Sequence, residues 1–228
     1  SLGPIDVVIP QKEQVATESY NVHDRLKVYI ISVTKVTKGA RLTGSRSHPD
    51  LVKRLFELEV PEIYDGTIEI KGIVREAGSR TKISVYSKNP NVDAIGSCIG
   101  NNSNRVNAII KEIRGEKIDI INWSENPKFY IAEALKPCDV LAIELNEEER
   151  TAKVVVPDNQ LSLGIGKEGQ NVRLAAKLTG WKIDIKSEEQ AKLTNFVDFD
   201  KQDIYIKEIE QKIEKIEDVE DNYEDILD

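Results

Sequence analysis

The chain repeats itself. Ile99-Gly100-Asn101-Asn102-Ser103-Asn104-Arg105-Val106 aligns with Ile165-Gly166-Lys167-Glu168-Gly169-Gln170-Asn171-Val172 at an offset of 66 residues. Further on, Gly115-Glu116-Lys117-Ile118-Asp119-Ile120 aligns with Gly180-Trp181-Lys182-Ile183-Asp184-Ile185 at an offset of 65. A correspondence that runs for 22 residues with one single-residue gap is hard to obtain by chance. The chain therefore contains two copies of one fold, and any architecture must supply the same unit twice.

The residues around each copy give the order of elements. Residues 49–58 have helical periodicity, with Pro49 in the first turn and Ser47 or His48 near the cap. Residues 67–75 and 81–87 alternate as a hairpin around Glu76-Ala77-Gly78-Ser79. Helices over 91–99 and 104–114 and a strand over 117–123 complete the first copy. The second runs through a helix at 127–136, with Ser124 as candidate cap and Pro137 as stop. Strands at 138–145 and 151–156, helices at 158–165 and 169–179, and a strand at 181–186 follow. Both copies read helix, strand, strand, helix, helix, strand. Upstream, 5–9, 25–33 and 40–43 are short strands, with Lys38-Gly39 as a turn. Three strands cannot close a barrel, so residues 1–46 read as the end of a β domain whose start is missing.

Charge is unevenly spread. The net charge is −8, but residues 187–228 hold 15 acidic and 5 basic residues, and the remainder has a net of +2. Any phosphate site must then be local rather than a broad basic face. The tail from 189 has helical periodicity to about Ile216, and beyond it like charges accumulate, so disorder is expected there. Ile204, Ile206, Ile209, Ile213 and Ile216 form a possible apolar stripe. The tail is compatible with a solvated end, an RNA mimic or a dock for a protein. There is no long uncharged apolar run, and SLGPIDVVIP is not a signal peptide, so a soluble cytoplasmic protein is expected. Cys98 and Cys138 lie in apolar stretches without metal-ligand spacing and read as reduced core thiols.

The repeated octapeptides carry the chemistry. Each sets a Gly-x-x-Gly-like loop between two helices. The second helix of each pair begins at the loop, with unpaired N–H groups and the positive end of its dipole outward. Glycine lets a sugar-phosphate chain approach the backbone without a Cβ in the way. A lone Gly-x-x-Gly is weak evidence. In the order above, which is the prokaryotic KH topology, and present twice, it points to KH domains, which clamp about four nucleotides of single strand. The candidate RNA-binding residues are Gly100, Asn101, Asn102, Ser103 and Arg105 in the first copy. In the second they are Gly166, Lys167, Glu168, Gly169, Gln170, Asn171, Arg173 and Lys177. Both Gly166 and Gly169 are expected to accept aspartate with the fold retained. Trp123 and Trp181 are read as strand residues that pack in the core rather than stack on bases. Lys35, Lys38, Arg41 and Arg46 fit an RNA-tracking hairpin and an ordinary charged hairpin equally well.

The stretches His48 to Val85 and, almost letter for letter, VVVPDNQLSLGIGKEGQNVRLAAKLTGWKIDIKSE from Val154 to Glu188 resemble the KH region of the NusA family. The resemblance covers about residues 1–188 and implies an α+β fold. In it, two tandem prokaryotic-type KH domains follow part of an oligonucleotide-binding (OB-like) barrel of the ribosomal S-one type. The implied boundaries are 1–46 for the barrel, 47–123 and 124–188 for the KH domains, and 189–228 for the tail. The implied function is binding nascent single-stranded RNA behind RNA polymerase, which modulates pausing, termination and antitermination. RNA polymerase would be met through a domain absent from this chain, and other antitermination factors are possible partners. The first loop departs from the family pattern, with Ser103 where glycine closes the turn. That predicts a weakened clamp, its left-handed strain offset in part if the Ser103 hydroxyl caps the following helix. The other reading is a tandem-KH protein of ribosomal RNA or RNA decay. No Walker loop, metal-ligand cluster or nucleophile–base spacing is present, so no enzyme, metal or cofactor is expected.

Overall fold

The computed structural model describes residues 6–37 and 39–198. The chain divides into two compact units between Ser124 and Glu125. The fold is α+β, and the six-element order expected from the repeat is present in both units.

In the first unit, β1 (Val7–Val8) lies parallel to β3 (Gly39–Ser45), and β2 (Tyr29–Val36) pairs with β3 antiparallel. This three-stranded sheet is consistent with part of an OB-like barrel. α1 (Pro49–Glu59) follows, capped by the His48 ring, whose Nδ1 accepts from the Asp50 N–H at 3.1 Å. Leu51, Val52, Leu55 and Phe56 repeat at helical spacing and are buried. The helix ends where Pro61 opens the short α2 (Pro61–Tyr64). β4 (Ile68–Glu76) and β5 (Arg80–Ser87) form the hairpin, and α3 (Ala94–Ile99) and α4 (Asn104–Glu112) cross over to β6 (Lys117–Asn122), parallel to β5. α1 and the two crossover helices bury Ile83, Val85, Ala94, Cys98, Ile109 and Ile113 in one core.

Two buried arginines hold this unit together. Arg46, fully buried at the end of β3, spends all five of its N–H groups. It donates to both Glu18 carboxylate oxygens at 2.9 and 2.6 Å and to the Lys27 carbonyl at 2.7 Å. It also donates to the Glu112 carboxylate at 2.9 Å and the Glu112 carbonyl at 2.8 Å. Burial opposes its charge, but Glu18 and Glu112 more than offset that, and its pKa rises. Arg75 likewise binds Glu116, with both side chains fully buried, and donates to the Arg46 and His48 carbonyls. Glu116 in turn accepts from the Gly78 N–H at the hairpin turn. The strand fragment, the hairpin and the end of α4 are thus pinned to one another.

In the second unit, α5 (Pro127–Leu135) is capped by Asn126, whose side chain accepts from the Lys128 N–H at 3.0 Å. The cap expected at Ser124 lies two residues too early, because Pro127 already occupies the first helical position. β7 (Ala142–Asn146) pairs antiparallel with β8 (Thr151–Val156), and β8 runs parallel to β9 (Lys182–Ser187). α6 (Leu161–Ile165) and α7 (Gln170–Thr179) make the crossover. A short helix α8 (Glu188–Leu193) begins at a capping box of Ser187 and Gln190. Its Ala191, with Phe196 and Val197, packs on Ala142 and Val155, on the sheet face opposite α6. The first residues of the acidic segment are therefore core, while the Ile204–Ile216 stripe lies outside the described residues.

Both cysteines are free and buried. Burial pushes the two thiols up, that of Cys98 to about 12, so neither is a nucleophile at neutral pH. Trp181 is buried, with the Arg150 guanidinium 5.7 Å from its ring centre. Trp123 follows β6 instead of lying in it and is half-buried. Among the described residues no helix is long and apolar enough to cross a membrane.

Replacing Arg46 by alanine leaves two carboxylates facing an emptied, water-poor site. The expected cost is about 3–5 kcal/mol, the scale for breaking a buried ion pair from one side. Urea unfolding measures it, and a loss below about 1 kcal/mol, as for surface pairs, contradicts this reading of the seam.

Candidate nucleic-acid interface

The two repeated loops have the same backbone. Gly100 has φ 74 and ψ 169, and Gly166 has φ 76 and ψ 170. Asn102 and Glu168 then sit left-handed at φ 52 and 53, and Ser103 and Gly169 are left-handed at φ 58 and 71. α4 and α7 start at the next residue. Neither N-cap residue makes a side-chain cap bond, and the first N–H of each helix, on Asn104 and Gln170, donates within the loop to the carbonyls of Asn101 and Lys167. Asn101, Asn102, Lys167 and Glu168 form the exposed tips.

The opening and closing glycines are not equivalent. A Cβ on Gly166 would lie 2.8 Å from the Asn171 backbone nitrogen, and one on Gly100 would lie 2.7 Å from Arg105 Cγ. The opening residue also has a backbone conformation that is essentially reserved for glycine. A Cβ on Gly169 meets only the end of Arg173, 4.0 Å away. Serine at 103 therefore fits sterically and bears only the left-handed penalty, about 1–2 kcal/mol. Its hydroxyl makes no cap bond, contrary to the compensation expected from sequence, because a left-handed N-cap does not aim its side chain at the helix N–H groups as an extended one does. The expectation that Gly166 accepts aspartate is corrected by the same geometry; only Gly169 has the room.

Equivalent residues Arg105 and Asn171 face inward. The Arg105 guanidinium donates to the Ser97 carbonyl at 2.6 Å and to Glu62 at 2.9 Å. Asn171 is 3% exposed, and its amide donates to the Leu135 and Gly164 carbonyls at 2.9 and 3.1 Å. Both side chains tie the helix after the loop to the helix before it. Arg173 Nη1 donates to the Glu168 carbonyl at 2.9 Å and so lies over the second loop. Lys167 and Lys177 are exposed, and Gln170 is half-buried at the start of α7. The second loop thus has Lys167 and Arg173 where the first has Asn101 and Asn107, while Lys177 on α7 has its counterpart in exposed Lys111 on α4.

The structure also assembles a group that sequence spacing did not suggest. Lys71 on β4 lies 4.8 Å from the Trp123 ring centre and 5.3 Å from that of Tyr86, and the two rings meet edge to face. Only the strand register brings these three together. Among the described residues no three His, Cys, Asp or Glu side chains group as a metal site.

Residues 46–123 match the NusA-like first KH domain and residues 127–193 the NusA-like second KH domain. The chain belongs to the NusA family by this KH pair. It is 60% identical over 192 residues to the transcription termination/antitermination protein NusA of Bacillus subtilis, covering 84% of this chain and 52% of that protein. To the protein of the same name from Halalkalibacterium halodurans it is 59% identical over 190 residues, 83% of this chain and 50% of the relative. To that of Thermus thermophilus it is 48% identical over 188 residues, 82% and 49%. The chain spans about half the length of these curated relatives.

The glycine asymmetry is measurable without any ligand. Gly169→Ala is expected to cost about 1–2 kcal/mol, the left-handed penalty alone. Gly166→Ala adds overpacking against Asn171, for about 2–5 kcal/mol in all. Chemical denaturation of the two variants side by side gives the order, and equal losses contradict it.

Proposed function

We propose that this chain binds single-stranded RNA at the two loops, with the second as the stronger clamp. The observation that carries this is the shared backbone of 100–103 and 166–169, each leading into an uncapped helix start. Such a start attracts an anion through the positive end of the helix dipole, and the loop glycine lets it approach the backbone. Exposed Lys167 and Arg173 add charge at the second loop, where the first has Asn101 and Asn107; Lys177 is matched by exposed Lys111. The names of the relatives support a role in transcription termination and antitermination. On this reading the chain acts on the nascent transcript in the cytoplasm, alongside RNA polymerase and possible further antitermination factors. It works by binding, without a metal, a cofactor or catalysis of its own. The boundaries 1–46, 47–123 and 124–188 belong to this reading, with bracing residues Arg105 and Asn171 shaping the clamps from behind.

The decisive variant is Gly169→Asp, which sets a carboxylate where phosphate would lie, at a position with room for it. Affinity for an unstructured RNA strand is expected to fall by about tenfold or more, with the circular dichroism spectrum unchanged. Ser103→Gly relieves the strain at the first loop and is expected to tighten binding. Fluorescence anisotropy reads both. Affinity unchanged by Gly169→Asp removes the second loop from the site.

A further inference from the structure

We infer that a basic pocket at the far end of α4 is an additional phosphate site, which holds RNA that continues beyond the first loop. The inference rests on the RNA reading above. The pocket has a volume of about 230 Å³ and is lined by Arg25, Leu26 and Lys27 from the segment before β2 and by Ala108, Lys111, Glu112 and Arg114 from α4 and its exit. Residues 25–27 and 108–114 are more than 80 positions apart, so no sequence motif announces it.

Three features make this a built site. Arg25, Lys27 and Lys111 line it, together with Arg114, which is paired with Asp24. The acidic groups there are engaged already: Glu112 accepts from buried Arg46 and from the Lys27 N–H at 3.0 Å, and Asp24 pairs with Arg114 at 3.3 Å. The wall is also fixed in advance, because Arg46 grips the Lys27 carbonyl, the Glu112 carboxylate and the Glu112 carbonyl together. A phosphate entering the pocket meets cations on two segments whose relative position needs no reordering.

The placement fits RNA. α4 begins at the first loop and ends at the pocket, so one helix about 14 Å long connects the two. Ala108 and Lys111 lie four and seven residues after Asn104, on the helix face that starts at the loop. The first loop lacks two cations that the second has: Asn101 and Asn107 stand where the second has Lys167 and Arg173, and Arg105 is turned onto Glu62 and the Ser97 carbonyl. Lys111, the counterpart of Lys177, is joined in the pocket by Arg25, Lys27 and Arg114. A strand clamped at the first loop reaches them only if it extends past the about four nucleotides of one KH domain.

The test compares the full chain with its Arg25→Ala/Lys111→Ala variant. Both side chains are exposed, so the melting curve is expected not to move. The probes are an oligoadenylate of about four nucleotides, the span of one KH clamp, and one about three times as long. The variant is expected to bind the short strand as the parent does. For the long strand it is expected to lose about threefold to tenfold at low salt, with the log–log salt slope shallower by about 0.7 for each contact removed. Long-strand affinity and slope equal to the parent's overturn the pocket and leave the loops standing. Tighter RNA binding by the variant also overturns it and assigns the pocket to an acidic competitor, such as the segment 199–228. A parent chain that binds neither strand overturns the RNA reading itself.

Discussion

The constraint on which the rest depends is a turn that must be completed in four residues between two helices, with three of them at positive φ. Glycine occupies its first position in both loops, where the next helix leaves no space for a Cβ: the Asn104 and Arg105 side chains block it at Gly100, and Asn171, backbone included, at Gly166. The conformation puts the positive ends of α4 and α7 at the loops, with no cap bond from the N-cap side chains, and exposes the loop tips. The same geometry that makes these turns costly as structure makes them open to an anion. Helix pairing, the inward bracing by Arg105 and Asn171, and the crossover to a parallel strand all serve to hold that turn in place.

α4 is fixed at both ends by different means. Its start follows from the loop, and its end from Arg46, which binds Glu112 by side chain and carbonyl alike. A buried ionic group of this kind is weak evidence of net stability, since its desolvation is expensive. Its effect is on geometry: the strand fragment, the hairpin turn through Glu116 and Arg75, and α4 have one arrangement that satisfies every charge. The second unit uses apolar packing instead, with Phe196 and Val197 laid on the sheet and Lys186 4.2 Å from the Phe196 ring centre.

Much of this was legible in the sequence, and the repeat is the reason. It marked both loops, ordered six elements twice, and located Ser103 as the departure. What stayed hidden depends on distance in sequence. Arg105 looked like a phosphate ligand because its neighbours in sequence are loop residues, but its partners are Glu62 and the Ser97 carbonyl. Asn171 looked exposed at a helix start and is buried, since it satisfies carbonyls from two other helices. Arg46 looked like one more charge on a hairpin; Glu18 and Glu112, its partners, are 28 and 66 residues away. The composition of 188–198 read as the start of an acidic tail because Ala191, Phe196 and Val197 are too few to show a core pattern without the sheet they cover.

The central claim, that both loops are where RNA meets this chain, is tested most directly residue by residue. Amide ¹⁵N spectra of the full chain, followed during titration with an unstructured single-stranded RNA, report which N–H groups change. The account predicts the largest changes at residues 100–105 and 166–171, with those of the second loop moving at lower RNA concentration. Changes concentrated elsewhere, for instance around Lys71, Tyr86 and Trp123 or along α8, with both loops silent, would contradict it.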